Sequence, residues 1–199
     1  MKTTPTNSSL KLKIILGSTR PARFGDKPAA WITELATRQG AFEVELLDLR
    51  DWKLPFYNED HSLGMNPAVS EPLAKKWADK IGEADAYILV SPEYNHGPSA
   101  VIKNALDYAY KEWNHKPVGF VSYGSAGGAR AVEQLRLNAV ELQMAPIRQA
   151  VHIMAPWMLV DEKGNLKPGA LDSYSDAAAA MLSQLEWWAE ALTKARKEK

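Results

Sequence analysis

The chain has 199 residues, a length that suits one large domain with its own core and leaves little room for two. It has no cysteine, which removes disulfide frameworks, thiolate metal sites and catalytic thiols, fits a reducing cytoplasm, and leaves any redox chemistry to a cofactor. Lys plus Arg and Asp plus Glu each number 24, so nothing global draws the protein to nucleic acid or an acidic membrane surface, and partners must be recognised locally.

Residues 1–9 are polar and read as a disordered tail without the apolar core of a signal peptide, and no run approaches the ~20 apolar residues of a membrane span. A single domain is expected over residues 10–199. Leu10-Lys11-Leu12-Lys13-Ile14-Ile15-Leu16 turns wholly apolar before Gly17 and is predicted as the first strand of a buried parallel sheet. The loop from Gly17 to Gly25 leads into a helix with Ile32, Leu35, Ala36 and Gln39 on one face, stopped by Gly40. Phe42-Glu43-Val44-Glu45-Leu46-Leu47-Asp48 is a second strand, nearer an edge. Residues 49–68 hold Pro55, Gly64 and Pro67 without periodicity and are predicted as a long connection at the margin of a site. Ser70-Glu71-Pro72 opens a helix in which Leu73, Trp77 and Ile81 recur every four residues, ending at Gly82.

Residues 86–90 form a third strand that stops at Ser91-Pro92. The loop Glu93-Tyr94-Asn95-His96-Gly97-Pro98 follows, and then a helix with two apolar rows, Val101-Ala105-Tyr108 and Ile102-Leu106-Ala109-Trp113. That face is wider than one sheet requires and predicts a subunit contact. Pro117-Val118-Gly119-Phe120-Val121-Ser122-Tyr123 is a fourth strand, followed by Gly124-Ser125-Ala126-Gly127-Gly128 and a helix with Val132, Leu135, Ala139 and Leu142 on one face. Residues 146–153 make a fifth strand, Asp161-Glu162-Lys163-Gly164-Asn165 a turn, and residues 171–199 a closing helix with Tyr174, Ala178, Met181, Leu185, Trp188 and Leu192 inward. Trp187 cannot join that stripe, so packing or a subunit contact must account for it, and the charged end from Lys194 is expected to fray. Five strands alternating with helices predict an α/β fold: a doubly wound five-stranded parallel sheet, order 2-1-3-4-5, with helices on both faces. In that order the loops after strands one, three and four converge on one crevice.

The first of these loops places Ser18, Arg20 and Arg23 with two glycines directly before a helix, an anion cradle that a phosphate fits. It lacks the Gly-Lys-Ser/Thr ending of a nucleotide P-loop and the Gly-x-Gly-x-x-Gly dinucleotide fingerprint. The middle loop, stiffened by Pro92 and Pro98, offers the flat face of Tyr94 and the polar groups of Asn95 and His96, which suits a planar ligand with a polar edge. The Gly124 to Gly128 segment is either a flexible turn or a close approach of backbone amides to such an edge.

Leu16-Gly17-Ser18-Thr19-Arg20, Pro92-Glu93-Tyr94-Asn95 with Lys103-Asn104-Ala105-Leu106-Asp107, and Ser122-Tyr123-Gly124 with Gly127-Gly128 resemble the NAD(P)H-dependent FMN reductases of flavodoxin-like fold, which include quinone, azo-dye and chromate reductases. The resemblance implies that Ser18, Arg20, Arg23, Phe24 and Gly25 hold the FMN phosphate. It also implies that Pro92, Glu93, Tyr94, Asn95, His96 and Gly97 line the isoalloxazine ring, and that Tyr123, Gly124, Ser125, Ala126, Gly127 and Gly128 meet its pyrimidine edge. It further implies a cytoplasmic homodimer or homotetramer, without a metal, that passes hydride from NAD(P)H through FMN to a small acceptor: a quinone, azo compound, free flavin or metal oxyanion. No catalytic side chain is required by this chemistry, with His96 a candidate proton donor. The alternative is a flavodoxin-like electron carrier or redox-sensing FMN module; the zero net charge and the long connection at residues 49–68 favour the enzyme.

Overall fold

The computed structural model of the chain describes residues 10–198, so the expected tail lies outside the described residues. The strands are β1 (Leu10–Leu16), β2 (Phe42–Asp48), β3 (Ala86–Pro92), β4 (Pro117–Gly124) and β5 (Ala145–Met154). The helices are α1 (Asp26–Gln39), α2 (Pro72–Gly82), α3 (Ala100–Asp107), α4 (Ala129–Glu141) and α5 (Ser175–Lys197), with single 3-10 turns at Pro156–Leu159 and Asp172–Tyr174. All five strands are parallel in the predicted order β2-β1-β3-β4-β5, with β2 at an edge.

Alternation along the strands divides the core in two. Leu12, Ile14, Leu16, Ile88, Val90 and Val121 pack with Ile32 and Ala36 of α1 and Met181 and Leu185 of α5. Ile15, Tyr87, Leu89, Val118 and Phe120 pack with Trp77 and Ile81 of α2, Ile102 and Leu106 of α3 and Leu135 of α4. α1 therefore covers one face with α5, and α2 to α4 cover the other, which is the doubly wound arrangement. Both faces of β3 are buried, as its apolar run predicts, and the strand continues through Ser91 and Pro92 instead of stopping before them. It does so because β4 keeps pairing with it as far as Tyr123.

α3 is shorter than its apolar rows predict. The indole N–H of Trp77 donates to the Ala105 carbonyl at 2.7 Å and that of Trp113 to the Leu106 carbonyl at 3.2 Å, so two tryptophans take carbonyls of the last turn. Tyr108, Ala109 and Trp113 lie beyond the helix yet are buried in the same cluster, so the width of that face is used within the chain and is no sign of a subunit contact. α5 begins at Ser175, after the Asp172–Tyr174 turn, and its far end is anchored: the Arg196 guanidinium donates to Asp85 and to the His115 carbonyl, both at 2.7 Å. Trp187 stays largely exposed and meets Trp188 edge-on, with ring centroids 5.3 Å apart.

At the strands' amino ends Lys116 is buried, its Nζ donating to the Gly82 carbonyl at 3.0 Å and to the Tyr87 hydroxyl at 3.2 Å. It caps the carboxyl end of α2. Burial pushes the ammonium down to about 8. Between that value and about 10 the unfolded chain holds a proton that the folded chain has released, so stability rises with pH across this window. Above it buried Tyr87, pushed well up by burial, acts in the opposite sense. Urea titrations across the window should show the rise in the native chain and its loss in Lys116→Met.

Candidate functional site

The chain direction across the sheet reverses between β1 and β3, and the loops after β1, β3 and β4 meet there around an open cleft of about 680 Å³. Of the predicted residues, Ser18, Arg20, Arg23, Phe24, Pro92, Glu93, Tyr94, Tyr123, Gly124 and Ser125 line it. Gly25, Asn95, His96, Gly97, Ala126, Gly127 and Gly128 belong to the same loops and are not among the lining residues.

The first loop is held by Arg23. Its Nε donates to Asp26 at 2.8 Å, one terminal nitrogen to Asp48 at 2.6 Å and to the Ser18 carbonyl at 2.5 Å, and the other to Asp26 and Asp48. All five N–H donors of a guanidinium are thereby used, so Arg23 braces the loop and has none left for a phosphate. Its hydrogen bonds to Asp48 outweigh burial and raise its proton affinity, and Asp48 is held below the usual carboxylate range despite its own desolvation. Arg50, unmarked by any sequence motif, adds bonds to the carbonyls of Arg20 and Pro21. What faces the cleft is the Ser18 hydroxyl, 2.9 Å from the Tyr94 hydroxyl, and the exposed Arg20 guanidinium, 5.9 Å from the Tyr94 ring centre.

Tyr123 points its side chain toward this first loop, not along the predicted pyrimidine edge: its ring packs on Phe24 with centroids 5.3 Å apart, and a Cβ on Gly25 would come within 2.6 Å of its hydroxyl. Gly25 thus makes room for Tyr123. The buried Tyr123 hydroxyl has no hydrogen-bond partner among the described residues, and burial keeps it neutral by raising its pKa.

In the middle loop Tyr94 and Gly97 exchange backbone bonds of 2.9 and 3.0 Å around Asn95 (φ 49°) and His96 (φ 70°). Two positive φ values at the centre make this a type I′ turn, a conformation to which Asn and His are better suited than most residues. His96 is exposed; its Nε2 accepts from Arg130 at 2.7 Å and its carbonyl accepts from Gln134 at 2.6 Å. Its ring is engaged with α4 and lies outside the cleft wall, so the predicted proton donation has no support in this geometry.

Glu93 lines the cleft while its carboxylate caps α4. The N-cap of that helix, Gly128, has no side chain to offer, and its φ of 76° and a Cβ position only 2.6 Å from the Ser122 Cβ exclude a larger residue. The Glu93 carboxylate substitutes, accepting from the Arg130 N–H at 3.0 Å and from Arg130 Nε at 2.6 Å. Burial opposes its ionisation, but these bonds prevail and hold the carboxyl below the usual range. Ser122 Oγ donates to the Gly127 carbonyl at 2.7 Å and lies 2.8 Å from His152 Nδ1, which fixes the glycine segment from beneath.

A fourth wall went unpredicted. Pro156, Trp157, Val160, Lys163 and Gly164 from the segment after β5, with Asp26 and Lys27 of α1, complete the lining. The only sequence cue there was the Asp161 to Asn165 turn. No residue of the connection at residues 49–68 lines the cleft, and it touches the lining only through Arg50. It is pinned to α3 by Asn104, whose amide accepts from the Tyr57 N–H at 2.8 Å and donates to the Pro55 carbonyl at 2.7 Å, and it borders a separate hollow.

Glu93→Ala should cost about 2–3 kcal/mol, combining a lost helix cap with an unpaired Arg130. Amide exchange should accelerate at Arg130 and Ala131 first. The native advantage over the variant should be present above the unfolded carboxyl pKa and fade as pH falls through the depressed folded value, in denaturation curves on the acid side.

A model of the NADPH-dependent FMN reductase family matches residues 10–157. The chain is 38% identical over 145 residues to an NAD(P)H-dependent FMN reductase of Schizosaccharomyces pombe, covering 71% of this chain and 72% of that protein. It is 32% identical over 138 residues to a quinone reductase of Pseudomonas putida, covering 66% and 70%. The fold is similar to that of FerB, a flavoenzyme NAD(P)H:(acceptor) oxidoreductase from Paracoccus denitrificans, with a TM-score of 0.69, 22% identity and coverage of 89% of this chain and 97% of that one. With a match over residues 10–157 that spans the three converging loops, the chain belongs to the NADPH-dependent FMN reductase family.

Proposed function

We propose that the cleft holds FMN with its phosphate on Ser18 and Arg20, its ring along Pro92 to Tyr94 and its polar edge toward Gly124 and Ser125, and that the acceptor is a quinone. The observation that carries this reading is the division of charge in the cleft. Both acids of the lining are paired, Asp26 with Arg23 and Glu93 with Arg130, while Arg20 makes no ion pair among the described residues. The donor set fits a phosphate dianion: a free guanidinium, the Ser18 and Tyr94 hydroxyls, and the unpartnered hydroxyl of Tyr123 behind them.

Bound FMN supplies the redox chemistry, accepting hydride from NAD(P)H and returning the electrons to an oxidised acceptor. The chain's own residues bind and orient. Arg23 and Arg50 keep the first loop in place, Glu93 ties the middle loop to α4, and Ser122 holds the glycine segment. The quinone assignment draws on the Pseudomonas putida relative and on the open cleft of about 680 Å³. A single domain over residues 10–199 is supported by the one sheet. A homo-oligomer is supported by the exposure of Leu137 (70%) and Val140 (62%) on α4. Among the described residues no helix is long and apolar enough to cross a membrane.

Purified protein given FMN and desalted should stay yellow, bleach anaerobically with NADPH or NADH, and regain colour with a quinone. Bound flavin that does not bleach would replace the enzyme by an electron carrier. A hydrogen bond to a charged group is worth about 1.5–3 kcal/mol, so Ser18→Ala and Arg20→Ala should each weaken FMN binding by about 10- to 100-fold in a fluorescence titration. Arg23→Met should instead lower thermal stability before it reaches the cofactor.

A further inference from the structure

One FMN phosphate does not exhaust the cations of this cleft. Arg23 is fully committed to Asp26, Asp48 and the Ser18 carbonyl, and Arg20 serves the phosphate with Ser18. Lys27 and Lys163 remain, in the same lining and with no ion pair among the described residues. In the Lys163 turn, Asp161 Oδ1 accepts from the backbone N–H groups of Lys163 at 2.9 Å and Asn165 at 2.8 Å, so that carboxylate closes the turn and makes no ion pair among the described residues. Two ammonium groups without an ion pair in one cleft lining suit a second anionic ligand.

Between β5 and these lysines stands Trp157, lining the cleft with 60% of its surface exposed. An indole left in water on a mobile loop would mean little, but this segment is braced. Ala155 is held at φ 43° with its N–H on the Gly124 carbonyl at 3.0 Å. The Met158 N–H bonds the Ala155 carbonyl at 2.9 Å, and Lys167 Nζ bonds the Met158 carbonyl at 3.0 Å. A non-glycine residue kept in the left-handed region by its surroundings marks a backbone that is over-determined, as functional walls often are. The strand-end carbonyl that anchors it belongs to the glycine segment, so this wall is positioned directly by the flavin loop.

A flat aromatic face that shares a cleft lining with two ammonium groups making no ion pair among the described residues is complementary to a ligand with a planar base and several phosphates. A quinone has no phosphate, so the lysines do not answer to the acceptor. We propose that the segment from Pro156 to Gly164 is the docking wall for the electron-donating pyridine dinucleotide, with a base stacked on Trp157 and its phosphates held by Lys27 and Lys163. This inference rests on the placement of FMN in the three-loop cleft.

The test is calorimetric titration of NADP⁺, which binds without reacting, into flavin-loaded protein, beside steady-state KM values. Trp157→Ala should raise the Kd for NADP⁺ and the KM for NADPH about tenfold, Trp157→Phe should recover most of the loss, and retention of FMN should not change. Lys27→Ala combined with Lys163→Ala should weaken NADP⁺ binding comparably and flatten its dependence on salt. The proposal is overturned if both variants bind NADP⁺ as the native chain does. It also falls if Trp157→Ala raises the KM for the quinone instead, or shifts the oligomeric state in gel filtration without touching NADP⁺ affinity. If the native chain fails to retain FMN, the flavin placement fails by its own titration. The same NADP⁺ calorimetry on flavin-free protein then decides whether the Trp157 wall binds dinucleotide, with no binding counting against it.

Discussion

With all five N–H donors of Arg23 directed at Asp26, Asp48 and the Ser18 carbonyl, the loop after β1 is fixed both to the strand beside it and to the helix it feeds. A βα loop of this length with two arginines would otherwise sample many conformations, because each ordered residue costs about 1–2 kcal/mol of backbone entropy. The guanidinium fork offsets that cost with planar, charge-assisted bonds that a lysine could not reproduce. It also shapes the electrostatics of the cleft: by pairing with Asp26 at the mouth of α1 it leaves Arg20, Lys27 and Lys163 as lining cations without an ion pair among the described residues.

Glu93 does the same for the opposite side. Its carboxylate is taken up by the amino end of α4 and by Arg130, so the second acid of the lining contributes no field to the cleft either. A protein whose charges balance at 24 of each sign thus concentrates positive potential in one place, by pairing its local acids inward rather than by adding bases. Because Glu93 belongs to the middle loop and caps the helix after the glycine segment, the two loops are tied to each other. The φ 76° conformation of Gly128, which prevents α4 from capping itself, is what creates the vacancy that Glu93 fills.

Those elements were legible where hydrophobic pattern decides them. The apolar runs of β1, β3 and β4, the Gly40 stop and the Trp77-Ile81 stripe specified strands, helices and sheet order, since burial on both faces leaves little choice of register. α3 was overextended because Ala109 and Trp113 continue a helical spacing, and nothing in the sequence says that two indoles will take the carbonyls of Ala105 and Leu106. The three loops were identified from their residue types, but direction was not. Arg23, Glu93 and His96 all have the chemistry of ligand contacts, and all three turn to partners distant in sequence or one helical turn away. Trp157 gives no cue for the converse reason: a lone tryptophan after a strand has the character of a core residue until topology places it in the cleft lining.

The two sides of the cleft are secured in different ways, and this bears on what each can do. The loops after β1, β3 and β4 are cross-linked by side chains whose polar groups are fully engaged, so they form a rigid bed suited to a cofactor that stays bound through turnover. The wall after β5 is joined to that bed through the Ala155 N–H on the Gly124 carbonyl, and its tip is a turn closed on itself by Asp161. Lys163 and Trp157 are open to solvent. Groups arranged so can take up and release a partner without dismantling anything, because no internal bond has to break when it leaves. That is the behaviour required of the surface that meets a reactant exchanged in every cycle, whereas a buried, saturated network such as that of Arg23 would hold such a reactant too long or exclude it.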